Sequence, residues 1–435
     1  MAIPLNPATF PARPAPIIEI GQNPFLGNGY IAPGFVIPTG AVWQPVFIAY
    51  GTYRTALQTF DGGSAQITEW ANRLDLYGNL YLTPTERILV GLRPLDTGGQ
   101  GTAGTYSGYN FKPKGENVNA FNAKVTTAFF EGDFGELFPG LDPNDSKSLD
   151  YGFAIGRQNL VSQDGILMND TMDAVGVTRS SLFALGSTAA HITALYGWNN
   201  ITRGTNVRDD QARMYGLLTA FDYPAFTIET DLLYVAAPVN PQKTGGDGFY
   251  GGIGITCRYF GLVNNTIRVL TSQAVNQVSN TATTGTLIFN QLSITPPHSE
   301  DLIYWDTFLG IDNFSSAARD PDVGGPLGQV GLLYAGAGIG NYGAPLNTNS
   351  HNSVGTALGY QMYFNDRREQ LILEIGGFTA TKGPQMSTEA VGATWQQAVG
   401  RHFVIVLSGF AGKRQNVPSS FSNLYGLRSE LITKF

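Results

Sequence analysis

Through segment after segment of this chain every second residue is apolar, and that period confines it to strands with two unlike faces. In 69–82, Trp70, Leu74, Leu76, Leu80 and Leu82 share one face, while Glu69, Arg73, Asp75, Tyr77, Asn79 and Tyr81 share the other. In 86–93, Ile88, Val90 and Leu92 oppose Arg87, Gly91 and Arg93. In 226–234, Phe226, Ile228, Leu232 and Tyr234 oppose Thr227, Glu229 and Asp231. The same alternation runs through 252–259, 355–365 and 370–376. Phase breaks in 122–132, 150–158, 210–221 and 328–338 are assigned to bulges or misjudged ends of further strands. The segments are about 10 residues long, the length of a strand tilted across a hydrocarbon layer. Helical periods between them are missing, which excludes alternating βαβ units.

Two soluble all-β architectures alternate as well, and composition separates them from a membrane one. A sandwich meets water on its non-core face and fills it with Lys, Glu and Thr. Here charged residues are 14% of the chain, against about 25% in soluble domains, and Lys is scarce, while there are 54 Gly and 12% aromatics. The polar faces carry Gly, Ala, Arg and Asp. Propeller repeats are not visible. The mean hydropathy of −0.05 fits residues that alternate between lipid and a wet interior, and no apolar run is long enough for a membrane helix. The prediction is an all-β, transmembrane antiparallel β-barrel of about 18 strands (range about 16–20), with long extracellular loops. Trp43, Trp70, Trp198, Trp305 and Tyr425 fall near segment ends, as interfacial girdles require. The net charge of −7 offers no basic face to nucleic acid.

Residues 1–40 are Pro- and Gly-rich with little periodicity, so they are set apart as a periplasmic segment or luminal plug before a barrel of 41–435. The final segment alternates too, with Tyr425, Leu427, Leu431 and Thr433 against Arg428, Glu430 and Lys434, and it ends on Phe435. It resembles the closing strand of a Gram-negative outer-membrane barrel. That resemblance implies that Phe435, Leu431, Leu427 and Tyr425 form the signal read by the barrel-assembly machinery, and that lipid and lipopolysaccharide surround the wall. An outer-membrane location needs a signal peptide. Residues 1–16 do not look like one, so a leader is expected to have been removed.

The face assignment sends Arg73, Arg87, Arg93, Arg258, Arg268 and Arg428 to the lumen, with Glu69, Asp75, Glu229, Asp231, Glu374 and Glu430. Arginines opposite acids across a constriction make a transverse field that screens polar solutes. The same charges also serve as structural salt bridges in a filled interior, and both roles stay open. The predicted function is an outer-membrane channel for polar or charged solutes. The alternative is a plugged barrel whose outer loops bind a partner protein or surface layer. A carrier of hydrophobic ligands would call for an apolar interior.

Two stretches narrow the comparison. NRLDLYGNLYLTPTERILVGLRPLD (72–96) and DYGFAIGRQNLVSQDGILMND (150–170) are similar to the alginate-export type of outer-membrane protein. The resemblance implies a monomeric barrel with an arginine-lined conduit for an anionic polysaccharide. It carries Arg73, Arg87, Arg93 and Arg157 over as lumen arginines. Acids match the arginines here, which speaks against a polyanion. Arg157 shares parity with Tyr151, Phe153 and Ile155, so its inward aim requires a bulge or a strand end.

No catalytic role and no cofactor is expected. The four histidines, His191, His298, His351 and His402, show no nucleophile–base–orienter arrangement. Asp142, Asn144, Asp145 and Asp150 offer hard oxygens to calcium, but without EF-hand spacing. Cys257 shares the lipid face with Ile255 and Tyr259 and is read as a small hydrophobe. A Gly-, Ser-, Thr- and Tyr-rich stretch, 95–121, is assigned as an external loop, and 134–149, which alternates acids with aromatics, as a loop that folds inward or packs on a partner.

Overall fold

The computed structural model describes residues 14–21, 34–63, 65–97, 106–144, 146–238, 245–275, 281–383, 386–418 and 422–435. Eighteen antiparallel strands close a barrel. They are β1 (Val46–Asp61), β2 (Ile67–Tyr81), β3 (Arg87–Leu92), β4 (Val125–Asp133), β5 (Tyr151–Ser162) and β6 (Met168–Leu182). Then follow β7 (Ala189–Asn199), β8 (Arg213–Asp222), β9 (Phe226–Ala236), β10 (Gly248–Tyr259), β11 (Val263–Ala274) and β12 (Gly285–Ile294). The last six are β13 (Leu302–Asp312), β14 (Ser353–Phe364), β15 (Glu369–Ala380), β16 (Ser387–Val399), β17 (Phe403–Arg414) and β18 (Asn423–Lys434). Closure comes from β18 against β1, from Tyr425↔Asp61 to Lys434↔Thr52. At the end where β1 begins and β18 finishes, called here the terminal end, Gly51 N–H donates to Phe435 O at 2.7 Å. The strand Ile18–Ile20 pairs with Phe47–Ala49 just past that point.

The alternation becomes a lipid belt. Leu57, Trp70, Val90, Leu232, Ile253, Leu358, Ile375 and Leu427 are all exposed on the outer wall. Tyr425 and Leu431 lie on the same outward face. Cys257 is a half-exposed free thiol at the matching parity in β10. The strand count meets the expectation of 18, and 122–132, 150–158 and 210–221 each belong to a strand.

Three expectations need correction. Residues 328–338 are not a strand: they lie in the connection 313–352, which turns repeatedly. That connection, and not 134–149, is the segment that folds into the lumen. The 134–149 stretch sits at the terminal end, where Asp133 caps the short helix Phe134–Leu137 by accepting Gly135 N–H at 2.8 Å. Nor is the interior uniformly polar. Phe314, Leu327, Val330, Leu333 and Tyr334 of the connection are fully buried against inward Met214, Leu233, Tyr250, Leu270, Phe289 and Phe308 of the wall. Inward apolar residues on β8–β13 face this packed segment instead of water, so part of the lumen is a hydrophobic core.

A second element leaves the wall. Strand β5 pairs with β4 only over Gly152–Arg157, and β6 pairs with β7 only from Asp173 onward. Beyond those limits 158–162 and 168–172 leave the wall and pair with each other, and the hairpin crosses the lumen. Its tip reaches the inner faces of β9 and β11: Asp231 accepts from Ser162 Oγ at 2.6 Å and Gln163 Nε2 at 3.0 Å, while Arg268 pairs with Asp164. Ala318–Arg319 of the long connection joins Met168–Asn169 in a short parallel ladder. Hairpin and connection are therefore one internal body. Of residues 1–40, the described part places Ile18–Ile20 at the wall and Phe35–Val36 in a small hairpin with Val42–Trp43; most of 1–33 lies outside the described residues.

Candidate functional site

A forty-residue connection with only the two-residue strand Ala318–Arg319 carries many backbone groups that need partners, and the charged stripe of the wall supplies some of them. Glu374 on β15 accepts the N–H groups of Leu332 and Leu333, at 2.5 and 2.7 Å, and the Tyr304 hydroxyl. Glu69 on β2 accepts Asn341 N–H at 2.5 Å and its Nδ2 at 2.8 Å. Arg54 donates to Ala337 O at 2.9 Å and Arg73 to Gly338 O at 2.8 Å. Gln58 donates to Ile339 O at 3.0 Å. Gly331 and Gly340 have φ of +58° and +59°, and a Cβ on either would collide with the carboxylate of Glu374 or Glu69. Both reasons require glycine there.

Between this body and β2–β6 a polar cavity of about 490 Å³ remains. Arg73 and Tyr77 line it from β2, Arg93 from the end of β3, and Thr126 and Thr127 from β4. Arg157, Asn159, Asn169 and Thr171 line it from the inturned hairpin, and Asp320 and Asp322 from the connection. Arg157 shows why the hairpin matters. Ile155 faces outward, Gly156 takes φ +128°, and the next residue already faces the cavity. Arg157 lies mid-strand in β5 with no shift of register, so its inward aim comes from this departure from the wall and not from the bulge or strand end expected.

The arginines are individually matched. Arg93 meets Asp322 at 2.6 Å and Asp75 at 3.0 Å, and Arg73 meets Asp75 at 2.8 Å. Arg157 grips Asp173 with two hydrogen bonds, 2.8 and 3.0 Å. Arg208, on the β7–β8 connection, meets Asp210 at 2.5 Å. Burial, with Asp322 alongside, pushes the Asp320 carboxyl above its usual range. Toward the terminal end, beyond the cavity lining, aromatic rings follow on the wall. Tyr50 stacks on Tyr77 at 5.4 Å, and Arg87, paired with Glu131, sits 5.8 Å over the ring of Phe129.

The remaining residues singled out from sequence are spread out. Asp231 and Arg268 hold the hairpin tip, with Glu229 beside them. Arg428 pairs with Glu430 at 2.5 Å and lies over Tyr342, another buried residue of the connection. Arg258 is exposed near the terminal end of β10. Asp142 accepts from Ser146 N–H at 3.0 Å and from two serine hydroxyls, which holds its carboxyl below the usual range. Asp150 offers its backbone carbonyl to Arg179, Asn144 is exposed, and Asp145 lies outside the described residues. Among the described residues no group of three or more His, Cys, Asp or Glu is placed to hold a metal. Arg54, Gln58, Asp173, Asp320 and Asp322 were not anticipated. Arg54 and Gln58 share the parity of the inward stripe and were readable from it; Asp320 and Asp322 lie in a segment without any period.

Searches with protein-family models and against curated proteins find no match. Solved structures do match. OccK2 (OpdF) of Pseudomonas aeruginosa superposes with a TM-score of 0.61 over 92% of this chain and 99% of its own, at 7% identity. The outer membrane protein OpdK of the same organism gives 0.57 at 10% identity, covering 89% and 98%. Wzi of Escherichia coli, an outer membrane protein of group 1 capsule assembly and a carbohydrate-binding β-barrel, gives 0.51 at 10% identity, covering 88% and 83%. At such identities the likeness establishes the fold, that of an outer-membrane β-barrel. The narrower alginate-export type rests on the two sequence stretches alone.

Proposed function

We propose that this barrel is a passive outer-membrane channel for small polar solutes, with the conduit between the internal body and the wall β2–β6. Porin-type barrels such as OccK2 and OpdK share the fold. The observation that carries the reading is the polar cavity of about 490 Å³ lined by matched arginines and carboxylates. Such a lining keeps its charges hydrated or paired and presents fixed dipoles to a passing solute. The terminal end, with mostly short turns, faces the periplasm, and the outer wall meets lipid and lipopolysaccharide. No catalytic role is assigned. Reconstitution into planar bilayers tests this: discrete, stable ion-current steps support a channel, and silence at high voltage rejects it.

One observation favours a second reading, a plugged scaffold whose outer face binds a partner. The apolar contacts around Phe314, Leu333 and Tyr334 fix the internal body firmly to the wall. The same experiment separates the two.

A further inference from the structure

Resting on the channel reading, we propose that the cavity selects uncharged polyhydroxylated solutes, mono- to oligosaccharides, over anions. The cavity is electrically balanced. Each of its four arginines has a carboxylate within hydrogen-bonding distance: Arg73 and Arg93 share Asp75 and Asp322, Arg157 has Asp173, and Arg208 has Asp210. The remaining lining cation, Lys124, is matched in number by Asp320. An entering anion must displace a carboxylate that already satisfies its arginine and must also approach Asp320 and Asp322. A cation meets the converse obstacle. A neutral polyol meets neither, because paired guanidinium and carboxylate groups still present free N–H donors and oxygen lone pairs to hydroxyls.

The rest of the lining agrees. Asn159, Asn169, Thr126, Thr127 and Thr171 are neutral groups that both donate and accept. Hydroxyl-rich rings have apolar C–H faces as well as polar edges, and aromatic faces suit the former. Tyr77 lines the cavity, held in place by Tyr50, which stacks on it at 5.4 Å. Edge contacts to ion pairs beside the Tyr77 ring form an amphipathic lining that neither a simple inorganic anion nor a lipid would use. The volume of about 490 Å³ lies within the range of small-molecule sites.

The test uses the purified full chain in planar bilayers, with maltotriose as the neutral probe and gluconate and glucuronate as anionic ones. Maltotriose is expected to interrupt the ion current in a saturable way while the anions do not. Tyr77→Ala and Tyr50→Ala should each weaken the maltotriose block by roughly three- to tenfold. Asp173→Asn, which frees Arg157 without touching the long connection, should create a gluconate block absent from the parent. Circular dichroism and thermal unfolding establish that each variant is folded. A channel blocked by gluconate and not by maltotriose, or by neither, overturns the saccharide assignment and leaves the channel standing. If no current is seen the channel reading fails, and calorimetric titration with maltotriose decides the ligand class alone: saturable heat lost in Tyr77→Ala supports it, and no heat overturns it.

Discussion

Glu374 on β15 accepts two consecutive backbone N–H groups, from Leu332 and Leu333, at 2.5 and 2.7 Å. A wall residue thereby does for the connection what a neighbouring strand does for a strand. Hydrogen bonds to a charged acceptor are worth about 1.5–3 kcal/mol each, and losing the acceptor leaves both donors buried. Glu374→Ala is expected to cost several kcal/mol, on the order of 3, read as a lower midpoint of thermal unfolding in detergent. Glu374→Gln keeps one acceptor oxygen and should lose less.

Replacing the buried part of the connection, residues 326–347, by a short Gly–Ser linker removes the body that divides the lumen. For a channel, single-channel conductance should rise severalfold while the barrel stays folded, since the wall ladders are independent of it. Unchanged conductance would place the current path elsewhere.

Gly331→Ala meets a positive φ and a carboxylate where its methyl group must go. Either effect alone costs about 1 kcal/mol or more. The variant should unfold earlier than the parent, whereas Gly383→Ala, also at positive φ but with open space around it, should lose only the conformational part. The difference between the two isolates the steric contact.

Asp320 gives a pH dependence. Its carboxyl is pushed above the usual range by burial and by Asp322, with Arg93 and Arg73 opposing. The folded state therefore binds this proton more readily than the unfolded chain, so falling pH takes nothing from stability through this group, and rising pH does. As pH falls Asp320 should be neutralised ahead of carboxylates in ordinary surroundings, leaving the cavity net positive. The chloride-to-potassium permeability ratio, from reversal potentials, should therefore begin to rise, as pH falls, before ordinary carboxylates titrate.

Leu427 is 66% exposed on the outer wall. Leu427→Arg should cost about 2–4 kcal/mol in a bilayer if that position lies near the midplane. No loss on reconstitution into lipid would remove the belt on which the fold rests.

Strand number, faces and the lipid belt were legible because a period of two leaves its mark on every strand. Trp70 against Glu69 and Ile253 against Gly254 carry that information locally. The internal body was not, for two physical reasons. Residues 313–352 satisfy their backbone through Arg54, Glu69, Arg73 and Glu374, partners distant in sequence that leave no periodic trace. Inward Met214, Leu233 and Phe289 are apolar because they pack on that body, so in isolation they read as noise in an otherwise wet face. Arg157 lay between these cases. Its parity conflict was visible, and the chain resolves it by leaving the wall at Gly156. Asp75, Arg73 and Glu374 hold the connection or each other, contacts that no local pattern announces.

One edge of β1 is served by two partners in succession, β18 along Thr52–Asp61 and then Ile18–Ile20 along Phe47–Ala49. The changeover is continuous: Gly51 and Phe435 exchange two backbone hydrogen bonds, and the next carbonyl along, Ala49 O, accepts from Ile17 N–H. The amino-terminal strand thus covers the backbone groups of β1 that the last strand is too short to reach, and a stretch of sheet margin that would otherwise lie bare is paired.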